Sequence, residues 1–163
     1  MHAKDVVLQT LDWSDRITDS YLADLTDADL LLRPVPGMNP IAWQLGHLIA
    51  TENRFLEDVS PGSAPALPEG FAEKHSKEAG QSDDPSHFYT KAEYVTIAKA
   101  QREATKAYFA KLTDEELDGP PPKSWERMVP SVGLAVNFLG LHTMMHVGQY
   151  VVVRRQLGKP IVI

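Results

Sequence analysis

No cysteine occurs among the 163 residues. Its absence removes disulfides, thiolate metal ligation and a cysteine nucleophile, so a bound metal has to be held by nitrogen and oxygen. Excess positive charge is missing too. Sixteen Lys and Arg stand against twenty-two Asp and Glu, a formal net charge of −6, and the longest basic cluster is Arg154-Arg155. Binding to a phosphate backbone needs a basic stripe that displaces counterions, so nucleic acid is not an expected partner. Long hydrophobic runs are also lacking. No stretch approaches the roughly 18 uninterrupted apolar residues of a membrane span, and MHAKDVVLQTLDWSDR does not have the charged-then-apolar order of a leader. The reading is a cytoplasmic protein with no membrane partner.

What the chain does have is helical periodicity. Its length suits one domain, residues 1–163, with a core large enough to fold without covalent staples. Residues 3–25 carry Val7, Leu11, Thr18, Tyr21 and Leu25 at helical spacing, and residues 40–58 place Ile41, Leu45, Leu48 and Phe55 along one face. Residues 90–112 open on the capping-box pattern Thr90-Lys91-Ala92-Glu93 and continue through Tyr94, Ile97, Tyr108 and Phe109. Residues 131–157 form the most apolar segment, stopping near Gly158 and Pro160. Within it YVVVRR is β-branched, but a lone strand would have no pairing partner, so helix is predicted throughout. Four such helices packed together make an all-α four-helix bundle.

The halves echo each other. Leu25-Thr26-Asp27-Ala28-Asp29-Leu30 follows the first helix, and Leu112-Thr113-Asp114-Glu115-Glu116-Leu117 follows the third. Each has a threonine set to cap a short turn, with an acid three residues on. A proline-rich turn and a histidine-bearing helix come next, with Leu45-Gly46-His47 matched by Leu139-Gly140-Leu141-His142. Two helix pairs related by an approximate two-fold are expected, with the glycines allowing the second and fourth helices to approach closely. Residues 60–87, rich in Pro, Gly and Ser, form a connection long enough to be a lid, a binding loop or a disordered segment.

HTMMH, residues 142–146, sets two imidazoles about 40° apart on one helix, so His142 and His146 point the same way. They share a stripe with Ala135, Phe138, Leu139, Gln149 and Val153, which reads as the inward face. A histidine is costly to bury without a partner, and a metal would satisfy both rings at once. Hydrogen-bonded core histidines are the competing interpretation. His47 is a third candidate, although the wheel sets it about 120° from the Ile41, Leu45, Leu48 arc while Glu52 falls inside that arc, which makes Glu52 a rival ligand. Gln44, Thr51 and Arg54 share the face of His47. His2, His75 and His87 lie in terminal or polar segments and are expected to face solvent. Trp43 and Trp125, beside proline turns, are expected to be packing anchors.

PIAWQLGHLIATE, then HTMMHVGQ and the closing RRQLGKP, resemble in that order the DinB-like, or DinB/YfiT, family of metal-dependent proteins, over nearly the whole chain. The resemblance implies a bundle of up-down-down-up order with long crossings, often a homodimer. It also implies a divalent metal, zinc or nickel in many members, held by three histidines with water completing the shell. Carried over, the ligands are His47, His142 and His146, and Glu52 becomes a packing or supporting residue. Relatives of this kind include thiol S-transferases, and others have no known activity.

Two functions follow for testing. One is an enzyme whose metal activates a low-molecular-weight thiol cosubstrate, as an S-transferase, or water, as a hydrolase, on a small-molecule substrate, with Gln149 as a candidate to reach the bound group. The other is a non-catalytic metal-binding bundle with a structural or stress-related role.

Overall fold

The structure, a computed structural model, describes residues 2–162. Four long helices carry it: α1 (Ala3–Leu22), α3 (Ile41–Val59), α5 (Lys91–Lys111) and α7 (Val132–Gln156). Short helices α2 (Asp27–Leu30) and α6 (Asp114–Asp118) follow the first and third, and α4 (Phe71–Lys74) lies in the long connection. No strand occurs among the described residues, and YVVVRR is helical with Tyr150 and Val153 fully buried. No helix among the described residues is long and apolar enough to cross a membrane.

The two threonine turns fold alike. Thr26 N donates to Asp29 Oδ2 at 2.8 Å while Asp29 N donates to Thr26 Oγ1 at 3.2 Å. Thr113 N and Glu116 Oε2 are 2.6 Å apart, with the return bond from Glu116 N to Thr113 Oγ1 at 3.2 Å. Each reciprocal cap satisfies two amides that a helix start leaves unpaired, a contribution of about 1 kcal/mol per cap. Lengthwise, α1 packs chiefly along α7 and α3 along α5. These pairings exchange under the approximate two-fold, and the parallel neighbours α3 and α5 require the long crossing that residues 60–90 supply. The order is up-down-down-up.

The core has two parts. One gathers around Tyr21, Ile41, Tyr94 and Tyr150, the other around Leu11, Phe55, Phe109, Trp125 and Leu139. Arg154 closes one end: fully buried, it donates to the carbonyls of Tyr21 at 2.8 Å and Pro160 at 2.9 Å, and pairs with Asp24.

Two expectations need correction. The glycines of α3 and α7 do not bring those helices together. A Cβ on Gly140 would stand 3.0 Å from Thr10 Cγ2 and 3.3 Å from Thr10 O, so Gly140 admits α1. A Cβ on Gly46 would lie 2.0 Å from His75 Cδ2, so Gly46 admits an imidazole. His75 is therefore not solvated but 2% exposed. The Phe71 carbonyl can only accept, so His75 Nδ1 carries the proton in their 2.7 Å bond, and Nε2 accepts from the Tyr94 hydroxyl at 2.7 Å. Burial holds this ring down to a pKa of about 4. His87 is half-buried, its Nε2 3.0 Å from Lys74 O.

His75 pins the long connection to α3. Trp43 Nε1 adds a bond to Ser76 O at 2.8 Å, and Arg33 Nη2 donates to Gly80 O at 2.7 Å and Ser82 O at 2.8 Å. The segment thus forms a third wall against the first turns of α3. Replacing Gly46 by Ala is expected to expel the His75 ring and to lower unfolding free energy by about 1–3 kcal/mol in a urea titration. Gly148→Ala, where an added Cβ meets nothing within 4 Å, is expected instead to stabilise helix α7 by about 0.5–1 kcal/mol.

Candidate metal centre

Three imidazoles converge where α3 faces α7. His47 comes from α3, His142 and His146 from successive turns of α7, and one ring nitrogen from each lies within 4.8 Å of the others. The core stripe of α7 runs through Ala135, Leu139, Thr143, Val147 and Tyr150. His142 and His146 flank that stripe and are half-buried, and so is His47. Rings at such a margin can reach both the protein interior and a molecule arriving from solvent.

Aromatic contacts and one amide fix the rings. Trp43, one turn before His47, stacks on it with centroids 4.8 Å apart and planes within 7°. Phe138, one turn before His142, lies parallel to that ring at 5.7 Å. Gln44 settles the tautomer of His146. Its Nε2 donates to Asn39 O at 2.8 Å, and a carbonyl can only accept, so the amide oxygen is the atom turned toward His146 Nδ1 at 2.9 Å. Nδ1 of His146 then carries the proton and Nε2 presents a lone pair.

That lone pair faces another nitrogen. His146 Nε2 and His142 Nε2 are 3.2 Å apart, so two bare lone pairs would repel, and something electropositive has to lie between them. A single proton can do this, and so can a metal ion. With metal–nitrogen bonds of about 2.0 to 2.1 Å, two ligands of a tetrahedral ion stand about 3.3 Å apart, close to the observed spacing. Burial, reinforced by the neighbouring imidazoles, holds His142 down to a pKa of about 4 and His146 to about 3. Burial lowers His47 as well, with Lys77 adding to it. All three rings are neutral at pH 7, the protonation state in which imidazole ligates. The donor set fits a divalent cation of borderline character, with three protein ligands and a fourth position to which no described residue contributes.

The other sequence candidates fall elsewhere. Gln149 is exposed, and its side chain makes no hydrogen bond among the described residues; Gln44 is the amide that reaches a ring. Glu52 points away from the three nitrogens and pairs with Arg102 Nη2 at 3.1 Å. Arg54 is exposed and Thr51 half-buried. Trp125 is a packing anchor against Phe55 and Phe138. Trp43 is buried as expected, but it also orients His47, a role signalled by their spacing of four residues.

The family model described as DinB superfamily matches residues 10–150. Among solved structures, the chain is similar to a conserved protein from Enterococcus faecalis, at 19% identity and a TM-score of 0.71, over 98% of this chain and 99% of that one. It is also similar to YfiT from Bacillus subtilis, described as a probable metal-dependent hydrolase with an unusual four-helix bundle topology. There the identity is 18% and the TM-score 0.66, over 96% of this chain and 89% of that one. At these identities the likeness shows the shared bundle fold. No curated protein matches the chain.

The neutral rings give a pH dependence of known sign. A histidine whose folded pKa is depressed binds its proton more readily when unfolded, so its stabilisation is complete above about 6.5 and is lost as pH falls toward the folded value. In metal-free protein the unfolding midpoint is expected to drop between pH 6.5 and 4. A His47→Ala, His142→Ala, His146→Ala variant should lose midpoint less steeply over that interval. It keeps the share of His75, and the opposite contribution of Asp15, whose pKa burial raises to about 6, is common to both proteins.

Proposed function

The chain belongs to the DinB superfamily, and we propose from that premise that it is a metal-dependent enzyme acting on a small molecule. In this reading His47, His142 and His146 hold one divalent cation, zinc or nickel, with a position open to an incoming group. The observation that carries it is the 3.2 Å approach of two Nε2 atoms, one of them fixed as a lone pair by Gln44. Bound there, the cation would supply Lewis acidity, lowering the pKa of a ligated water or thiol so that a nucleophile exists near neutral pH. A thiol would come from a cosubstrate, because the chain has no cysteine.

The chain's own residues divide the work. Gln44 keeps His146 in the ligating tautomer, and Trp43 and Phe138 hold the other two rings at their angles. An enzyme is favoured over a purely structural metal site because His47, His142 and His146 are only half-buried, at the margin of the bundle and within reach of a molecule from solvent. The bundle buries its apolar surface without them. A homodimer is part of the same proposal. Leu134, Leu141, Met145 and Val152 are 41–63% exposed and recur at helical spacing along the outer face of α7, an apolar stripe suited to a second copy.

Elemental analysis is expected to find one divalent ion per chain, lost in the triple alanine variant. Gln44→Ala should weaken metal affinity about 10- to 100-fold while leaving the far-ultraviolet circular dichroism unchanged. Removing the ion with a chelator should abolish turnover yet leave a folded protein with a cooperative transition; outright unfolding on chelation would instead identify a structural metal. Met145→Asp should convert a dimer to monomer in light scattering.

A further inference from the structure

The opposite side of α3 holds a second feature, unrelated to the histidines. Between α1 and α5, which touch little along their length, opens a cavity of about 300 Å³. This is at the lower end of the ~300–1,000 Å³ typical of small-molecule pockets, and well above the voids that close-packed interiors tolerate. Its walls are apolar, formed by Leu22, Leu45, Leu48, Ile49, Val95 and Ala98. Charged residues line it as well: Glu52 and Arg102 are buried, Asp15 is part-buried, and Asp19, Lys99 and Glu103 are 53–73% exposed.

Glu52, Arg102 and Asp15 are only partly satisfied by one another. The side chains of Glu52 and Arg102 are each 8% exposed, and Arg102 Nη2 lies 3.1 Å from Glu52 Oε2. The same Nη2 is 3.3 Å from Thr143 Oγ1. Arg102 Nε is 3.4 Å from Asp15 Oδ1, close enough for charge pairing but without hydrogen-bond geometry. No protein group bonds Glu52 Oε1, Arg102 Nε or Arg102 Nη1. One buried acceptor and two buried donors thus have no protein partner beside an apolar hollow, an arrangement that costs stability unless water or a guest completes it.

We propose that this cavity is a second small-molecule site, taking a compact amphiphile with an apolar body and an uncharged head that both donates and accepts hydrogen bonds, a primary carboxamide. The head's N–H groups meet Glu52 Oε1 and its carbonyl accepts from Arg102. Charged heads fit less well. At the buried end a carboxylate would face Asp15 and Glu52 and an ammonium the free edge of the guanidinium, where like charges repel strongly, whereas Asp19, Lys99 and Glu103, 53–73% exposed, are screened by solvent and select little. Burial also raises Asp15 to a pKa of about 6, consistent with a low-dielectric cavity. Leu48 follows His47 and Thr143 follows His142 in sequence, so the guest and the metal centre share two helices without sharing a ligand.

The test is titration of hexanamide, hexanoate and hexylamine, which share a chain and differ in head, into protein of measured metal content, observed through its methyl resonances. Hexanamide is expected to shift the methyls of Leu48, Ile49 and Val95 saturably and to bind at least tenfold more tightly than the other two, with metal content unchanged. Ala98→Leu, which fills the apolar end without touching a charge, should abolish the shifts. Glu52→Gln should reduce the preference for the amide if it folds. No saturable shift, equal affinity for all three heads, or undiminished binding to the Ala98→Leu protein would overturn the proposal. None of those results would bear on the three-histidine centre, which elemental analysis tests separately.

Discussion

The site depends on one hydrogen bond, from His146 Nδ1 to Gln44 Oε1 at 2.9 Å. An imidazole has two nitrogens and, when neutral, one proton, so placing the proton on Nδ1 decides what Nε2 can do. Gln44 can make that placement because its own orientation is fixed by Asn39, whose carbonyl sits in the turn just before α3. The chain of constraint runs from a loop carbonyl through an amide on one helix to a ring on another. It also ties α3 and α7 together at the level where His47 joins the pair. Packing between these two helices is otherwise modest, and a polar bridge with one allowed geometry sets their relative rotation more sharply than apolar contact would.

Much of the fold is legible in the sequence. The four helices lie within a few residues of the spans that periodicity predicts, because each is bounded by a breaker or a reciprocal cap whose chemistry is local. The first helix ends at Leu22 rather than near Leu25, which packs into the core from the turn that follows. That His142 and His146 point the same way is readable from spacing alone, since i and i+4 positions coincide in direction on any α-helix. The direction of His47 is not. The wheel of α3 assumes one buried face, whereas Ile41 through Gly46 are all buried, enclosed by the rest of the bundle and by residues from the long connection. With no exposed face to contrast, the direction of His47 had no hydrophobic signature, and only family resemblance selected it over Glu52.

The same enclosure explains the misread His75. A histidine among Pro, Gly, Ser and charged residues looks solvated because burial usually announces itself through apolar neighbours in sequence. Here the neighbours are apolar in space instead: Phe71 from the preceding turn, Tyr89 and Tyr94 from the start of α5, and the bare surface of Gly46. Long-range complementarity between a missing Cβ and an imidazole leaves no mark in a local window. Gln149 illustrates the converse: it shares the histidine stripe on a wheel, yet the true core line of α7 passes to the other side, through Val147 and Tyr150, and turns Gln149 outward.

Helix α3 therefore performs three tasks on three faces. One face presents His47 to α7, a second offers Gly46 to the loop, and the third sends Glu52 to meet Arg102 and Asp15. The separation has an electrostatic logic. A carboxylate beside three neutral imidazoles would raise their proton affinity, and as a metal ligand it would compete with an incoming group for the fourth position. Pairing Glu52 with Arg102 on the far side keeps its charge occupied and leaves an all-nitrogen donor set. In the proposed site, three neutral ligands would leave a divalent ion its full double charge, the property that would let it acidify a group at the fourth position. The helix thus keeps a buried ion pair on one side and the neutral triad on the other.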